Sequence, residues 1–394
     1  MIIFLGAGLF IYGGLIPAWK NVNSDFPNYY VSSKMILEKR DVSRIYDNQW
    51  FDQKIHEYGI EQKGKFAPFP PPTAFVFLPI ALFEPITAKR IWTIVNVLLC
   101  IPVVYFFKKQ SGLTLQQSVL FVLGTGMALI NNFYLGQIYL LILLLMQIAI
   151  SISGKYPTAS GLISSLSVSV KYFPIVILPD WIIKKNWKAI NGLLMGGIII
   201  VLISFLFLGE KPCIDFVKSV LGNHLNSRLE GQSPYSPAFQ SWDAFLKILF
   251  VKDDILNPNP LFDSLLIFYA LKILIIVFYV ALAIKLLIQI TKTEKKAVYS
   301  YILFSFLIAI LSPASASYHF LLLLPAIALF LKICDDTETK IVTLVFVLLC
   351  GYSQIAVDRL PDYLHLLPVV FYRLMLMNIF CVWMMRKMHY WGSN

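Results

Sequence analysis

The run AINGLLMGGIIIVLISFLFL, residues 189–208, holds no charged side chain across twenty positions. A helix of that length matches a hydrocarbon core of about 30 Å. Comparable apolar runs recur at 2–19, 88–107, 115–131, 137–153, 262–285, 297–312, 316–333, 340–357 and 364–385. The chain of 394 residues is 58% hydrophobic and only 14% charged, whereas soluble domains carry about 25% charged residues. Alternating ten-residue segments of a membrane β-barrel are absent. These features predict an all-α integral membrane protein, a multi-spanning helical bundle of about 11–13 transmembrane helices.

Two stretches resist simple assignment. Residues 66–83, FAPFPPPTAFVFLPIALF, open on a proline cluster and suit a short or re-entrant helix. Residues 158–183 are interrupted by KYFP at 171–174, giving one broken helix or two short ones. Irregular backbone at membrane depth survives only where protein or a wet cavity satisfies its polar groups, so both stretches are candidates for lining a site.

The net charge of +11 is spread over short loops, as the positive-inside rule requires, and gives no reason to expect nucleic acid as a partner. Lys184, Lys185 and Lys188, the cluster from Lys285 to Lys296, Lys332 with Lys340, and Arg386 with Lys387 mark the cytoplasmic side. The first apolar run lacks a basic flank and a small-residue cleavage site and reads as a retained anchor. With the chain starting inside, the loops 20–65 and 209–261 face outward, toward a periplasm or the cell exterior. No internal repeat interrupts a single transmembrane domain over 1–394. Within 27–40, PNYYVSSKMILEKR, and within 43–58, short amphipathic helices are expected to lie in the membrane interface. Helices are also expected over 215–229 and 239–250, around the turn EGQSPYSP.

The five cysteines form no CxxC or paired external spacing. The histidines, His56, His224, His319, His365 and His389, show no metal-ligand spacing. GxSxG, Walker A, HExxH and GxGxxG are all missing. No cofactor or divalent metal is therefore expected.

A few polar residues stand out against the apolar background. Asp25 in NVNSDFPNYYVSS sits just before a helix that begins with Pro27 in its first turn. It either caps that helix or, kept ionised by the helix end, serves as a general base on a hydroxyl. His319 lies at the outer end of an apolar run, either interfacial or bound to a phosphate. Lys171, at the KYFP break, either snorkels to the interface or faces an anion. Gln137 in YLGQIYLL and Gln240 in AFQSWDAF either cap helices or contact sugar hydroxyls. Asp47 and Asp243 are further carboxylates in the outer loops.

Six segments taken in order resemble one family. They are SDFPNYYVSSKMIL with IYD after it, FPPPTAFVFLPIALF with RIW, LGQIYLLILLL, GLISSLSVSVKYFPIVILPDWIIKKNWKA, FQSWDAFLKILF and LSPASASYHFLLLLPAI. Over about residues 20–335 they resemble the polyprenol-phosphate-mannose-dependent mannosyltransferases of glycosyltransferase family 87, in the GT-C superfamily. The resemblance implies an enzyme of the plasma (inner) membrane with its site on the outer face. It implies a polyprenyl-phosphate sugar as donor, a glycolipid or polysaccharide as acceptor, and contact with membrane lipid. Asp25 falls on the family's base position in DFxxYY, with Tyr29 and Tyr30 beside the donor. His319 falls on the histidine of an SPxSWxHHY-like segment, near the donor phosphate with Lys171. Departures from the pattern are Ala316 or Ser317 and Tyr318 in that segment, VKYFP for IKPTP, and Phe239 in place of an asparagine. A single base and a good leaving group imply inversion at the anomeric carbon. The competing reading is a transporter or flippase for a lipid-linked saccharide; such proteins often carry inverted repeats, which this sequence lacks.

Overall fold

A computed structural model describes residues 2–23, 25–225, 233–313, 315–354 and 367–393. Among these the regular secondary structure is helical, the only β feature being an isolated bridge between Asp253 and Asn257. Four helices are long and apolar enough to cross a membrane: Ile3–Lys20, Pro85–Ser111, Trp187–Leu208 and Leu265–Gln289. Met127–Tyr134 and Tyr139–Ile152 make a fifth if taken as one span, bent by 118°. Of the remaining expected spans, 297–312 falls on one unbroken helix, Thr293–Leu311, and the others are shorter or broken. The 115–131 run divides at Thr125 and Gly126, and 316–333 begins as the 3-10 helix Ser317–Leu323 before Leu324–Ile333. The 340–357 run is helical over Thr337–Tyr352, and 364–385 appears as Leu367–Val370 and Tyr372–Ser393. Residues 355–366, His365 among them, lie outside the described residues.

The chain divides into two compact units, each assembled from separate segments. The first takes residues 1–107, 129–175 and 186–225; the second takes 108–128, 176–185 and 226–394.

In the first unit the helix Pro157–Val170 lies directly against Trp187–Leu208. Small residues permit this approach: a Cβ on Gly161 would collide with the Ala189 carbonyl, and one on Gly192 with that of Thr158. The helix ends at Lys171, and the chain resumes as the 3-10 helix Phe173–Ile177, so the expected break is present. Residues 66–83, expected as a short or re-entrant helix, hold a short one that is not an α-helix. They form the 3-10 helix Pro71–Phe75 followed by turns, because prolines at 68, 70, 71 and 72 remove backbone donors.

Irregular backbone of this kind needs partners from elsewhere, and side chains provide them. Tyr30 donates to the Phe83 carbonyl at 2.8 Å, Tyr46 to that of Phe69 at 2.7 Å and Ser33 to that of Ala74 at 2.6 Å. This bears on the short amphipathic helix expected within residues 27–40 of the 20–65 loop. The helix Phe26–Leu37 has nine of its twelve residues buried within the protein, Ser32 and Ser33 among them. Asn48–Glu57, capped by Asp47 through the Trp50 N–H, is the second helix of that loop and buries Phe51 and Ile55. In the other loop the chain is helical from Glu210 to Leu225 and again over Trp242–Phe250; residues 226–232 lie outside the described set.

The second unit is built around Thr293–Leu311, buried along most of its length. Phe346 and Phe380 stack within it at 3.9 Å, and Trp242 donates to the Asn378 side chain at 3.1 Å.

Candidate functional site

The first unit gathers Asp25, Tyr29, Gln137 and Lys171. Asp25 has helical backbone angles (φ −90°, ψ −28°), and its side chain makes no capping bond to the helix it precedes. Its carboxylate is held instead by Gln137, whose Nε2 donates to Oδ2 at 2.6 Å. Tyr29 fixes the amide from the other side, its hydroxyl donating to Gln137 Oε1 at 2.6 Å. With oxygen committed to the phenol, the amide must present its N–H to the carboxylate. Gln137 thus gives one N–H to Asp25 and its oxygen to Tyr29, a pairing that neither reading of it, as helix cap or as sugar contact, includes.

The bend between Met127–Tyr134 and Tyr139–Ile152 puts Gln137 there. Gly136 takes φ +70°, and a Cβ on it would come within 2.6 Å of the Lys89 ammonium; a side chain is excluded on both counts. Asn132 Oδ1 accepts from the Tyr139 N–H at 3.0 Å, and the Trp92 indole donates to the Gly136 and Gln137 carbonyls at 3.2 Å. Lys89, wholly buried, donates to the Phe133 and Tyr134 carbonyls at 3.1 Å. Asn23 adds a bond to the Tyr134 carbonyl at 2.8 Å. The Phe133, Tyr134, Gly136 and Gln137 carbonyls at the bend thus have named donors.

Lys171 completes the group. Its ammonium sits over three aromatic rings, at 4.2 Å from the centroid of Phe69, 5.0 Å from Tyr139 and 5.8 Å from Tyr29. Such rings stabilise a cation withdrawn from water. Burial pushes the Asp25 carboxyl above its ordinary range, opposed by the Gln137 hydrogen bond and by the charges of Lys171, Lys89 and Lys65. The anion is not favoured by the helix end, as the capping geometry predicts, because the carboxylate does not face the helix N–H groups. Burial likewise lowers Lys171, with Asp25 opposing. A carboxyl raised in this way has a greater affinity for a proton than an ordinary carboxylate.

The other expected site residues behave differently. The Tyr30 hydroxyl is engaged with the Phe83 carbonyl, so it supports the backbone of the 66–83 segment. His319 belongs to the second unit, in the 3-10 helix Ser317–Leu323, and its Nδ1 accepts from the Ala316 N–H at 2.9 Å. Gln240, also in the second unit, is saturated. Its Nε2 donates to the Pro237 and Val370 carbonyls, and its Oε1 accepts from the Arg373 and Leu374 N–H groups. That geometry fastens the start of the Tyr372–Ser393 helix and leaves no hydrogen-bonding position for a sugar hydroxyl.

Sequence reasoning overlooked Lys89, Trp92, Asn132 and His224. Lys89 did leave a signal, as a cation inside the apolar run 88–107. His224 carries none; it joins the group by its ring against Tyr172, at 6.2 Å between centroids. Burial and the Lys171 charge hold it down to about 4. Among the described residues no three His, Cys, Asp or Glu side chains gather into a group that could hold a metal.

The match with known proteins is to a family. The model of glycosyltransferase family 87 matches residues 66–313, more than half of the chain and less than the span of the resemblance in the sequence. It takes in Gln137, Lys171 and Gln240, while Asp25 and His319 fall outside it. No curated protein matches the sequence. An all-helical membrane protein with this match belongs to glycosyltransferase family 87.

Proposed function

We propose that this membrane glycosyltransferase moves a sugar, with mannose the first candidate, from a polyprenyl-phosphate donor to a hydroxyl of a lipid-linked or envelope glycan. The reaction takes place on the outer face of the plasma membrane, with Asp25 as general base. One observation carries the reading: Asp25 is withdrawn from helix capping and held by a neutral amide. A carboxylate paired in this way keeps a free oxygen and an affinity for protons.

In the proposed step the acceptor O–H gives its proton to Asp25 as its oxygen attacks the anomeric carbon. The bond from that carbon to the phosphate oxygen breaks, and its electron pair leaves with the phosphate. A single displacement inverts the anomeric centre, so a β-linked donor yields an α-linked product. The negative charge of Asp25 favours the oxocarbenium-like transition state. Lys171 supplies the positive charge that a departing phosphate requires. His319 has its Nδ1 occupied by the Ala316 N–H, so its ring proton falls on Nε2 and makes that nitrogen a donor; the resemblance gives it a role at the donor phosphate. Orientation toward the outer face is supported by the lysine clusters.

The test is transfer by purified protein from a panel of polyprenyl-phosphate sugars, with Asp25→Asn as the control. Undiminished transfer by that variant removes the base. Solute flux without transfer from any donor supports the transporter instead.

A further inference from the structure

Among the described residues, the cations withdrawn from water differ in how fully they are partnered. Lys89 is bonded to two carbonyls, Lys171 faces Asp25 and three rings, and Lys247 and Lys272 share the Asp243 carboxylate. Arg373, the second residue of the Tyr372–Ser393 helix, is only 4% exposed. Its guanidinium donates once, from Nη2 to the Ser315 carbonyl at 3.2 Å. Among the described residues no carboxylate pairs with it, and the ionisable groups that act on it are Tyr372 and Cys350, both neutral near pH 7.

A guanidinium cannot escape this situation by losing its proton, and an unpaired buried cation is costly to keep. An ionisable residue so placed in a membrane protein calls for an anion, and the described residues do not provide one. The planar fork of arginine matches the oxygens of a phosphate. Two further features favour a phosphate that carries an apolar chain. Val369 and Ile379, on either side of Arg373 in sequence, are 48% and 69% exposed. The loop that accepts from Arg373 at Ser315 also positions His319 through the next residue, Ala316.

We propose that Arg373 anchors the phosphate group of a phosphate-bearing lipid. The assignment is independent of the role of Asp25. The phosphate comes either from a polyprenyl phosphate or from the headgroup of an anionic phospholipid, and the test separates them.

Full-length protein stripped of lipid is presented with a short polyprenyl phosphate, with phosphatidylglycerol and with inorganic phosphate. Retention is read by native mass spectrometry and stability by thermal unfolding. A phosphate lipid should bind the wild type and bind Arg373→Met about tenfold to a hundredfold more weakly. Arg373→Lys, which keeps the charge without the fork, should fall between. Without ligand, Arg373→Met should unfold at no lower temperature than the wild type, since it removes an unpaired buried charge. Preference for polyprenyl phosphate identifies the substrate lipid as the source, and equal retention of both identifies the headgroup. Equal binding of lipid by wild type and both variants overturns the assignment. So does a wild type that responds to inorganic phosphate alone, or one that responds to none of the three.

Discussion

Asp25 in the first unit and Asp243 in the second are both withdrawn from water, yet their surroundings differ. Asp243, 4% exposed, accepts two ammonium groups directly, from Lys247 at 2.8 Å and Lys272 at 2.5 Å. Burial raises its carboxyl, but the two lysines outweigh burial and hold it below the ordinary range. Asp25 accepts a neutral amide, with its cations further off, and burial wins. A carboxylate locked between two cations is a poor proton acceptor. One supported by an amide keeps its basicity. Asp47, the other outer-loop candidate, is held low by its bonds to Arg44 and the Trp50 N–H and caps a helix. Between Asp25 and Asp243 the difference therefore lies in the nature of the donor, not in burial.

This contrast can be broken by substitution. Asp25→Asn should have the largest effect, lowering transfer by about 100-fold to 10,000-fold, measured as kcat/KM with the unfolding temperature unchanged. Asp243→Asn should do the reverse. It strands two lysines and should cost on the order of 3 kcal/mol of stability, read by thermal or denaturant unfolding, while transfer per folded molecule persists. Gln137→Leu removes the donor that lowers the Asp25 pKa, so the base stays protonated to higher pH. The acid limb of kcat/KM against pH should move upward and the rate at neutral pH should fall about tenfold. Tyr29→Phe leaves the amide in place but frees it to rotate; the same limb should move in the same direction by less. An unmoved acid limb in both variants, with Asp25→Asn inactive, would keep the base and reject Gln137 as its positioning residue.

Much of the fold was legible because length and apolarity are local properties. The helices at Pro85–Ser111, Trp187–Leu208 and Leu265–Gln289 coincide with unbroken apolar runs, and the break at Lys171 follows from KYFP. What escaped depended on partners distant in sequence. The Phe26–Leu37 helix has the alternation of an interfacial helix, and nothing within it reveals that the 66–83 segment will cover it. Asp25 was legible as a candidate, but the partner that holds its carboxylate, Gln137, lies 112 residues away. Gln240 looked equivalent to Gln137, a glutamine at the edge of an apolar helix. Only the four groups around it show that it is fully used within the protein.

The distance between Asp25 and its amide also has a meaning in time. A chain is made from its N-terminus, so the Phe26–Leu37 helix and its aspartate exist before the Gly136 bend has been synthesised. Until that bend arrives, the carboxylate has neither Gln137 nor Lys171 beside it. The pocket cannot mature in the order in which its residues are made. A fragment ending before the bend would carry the acid without the means to tune it.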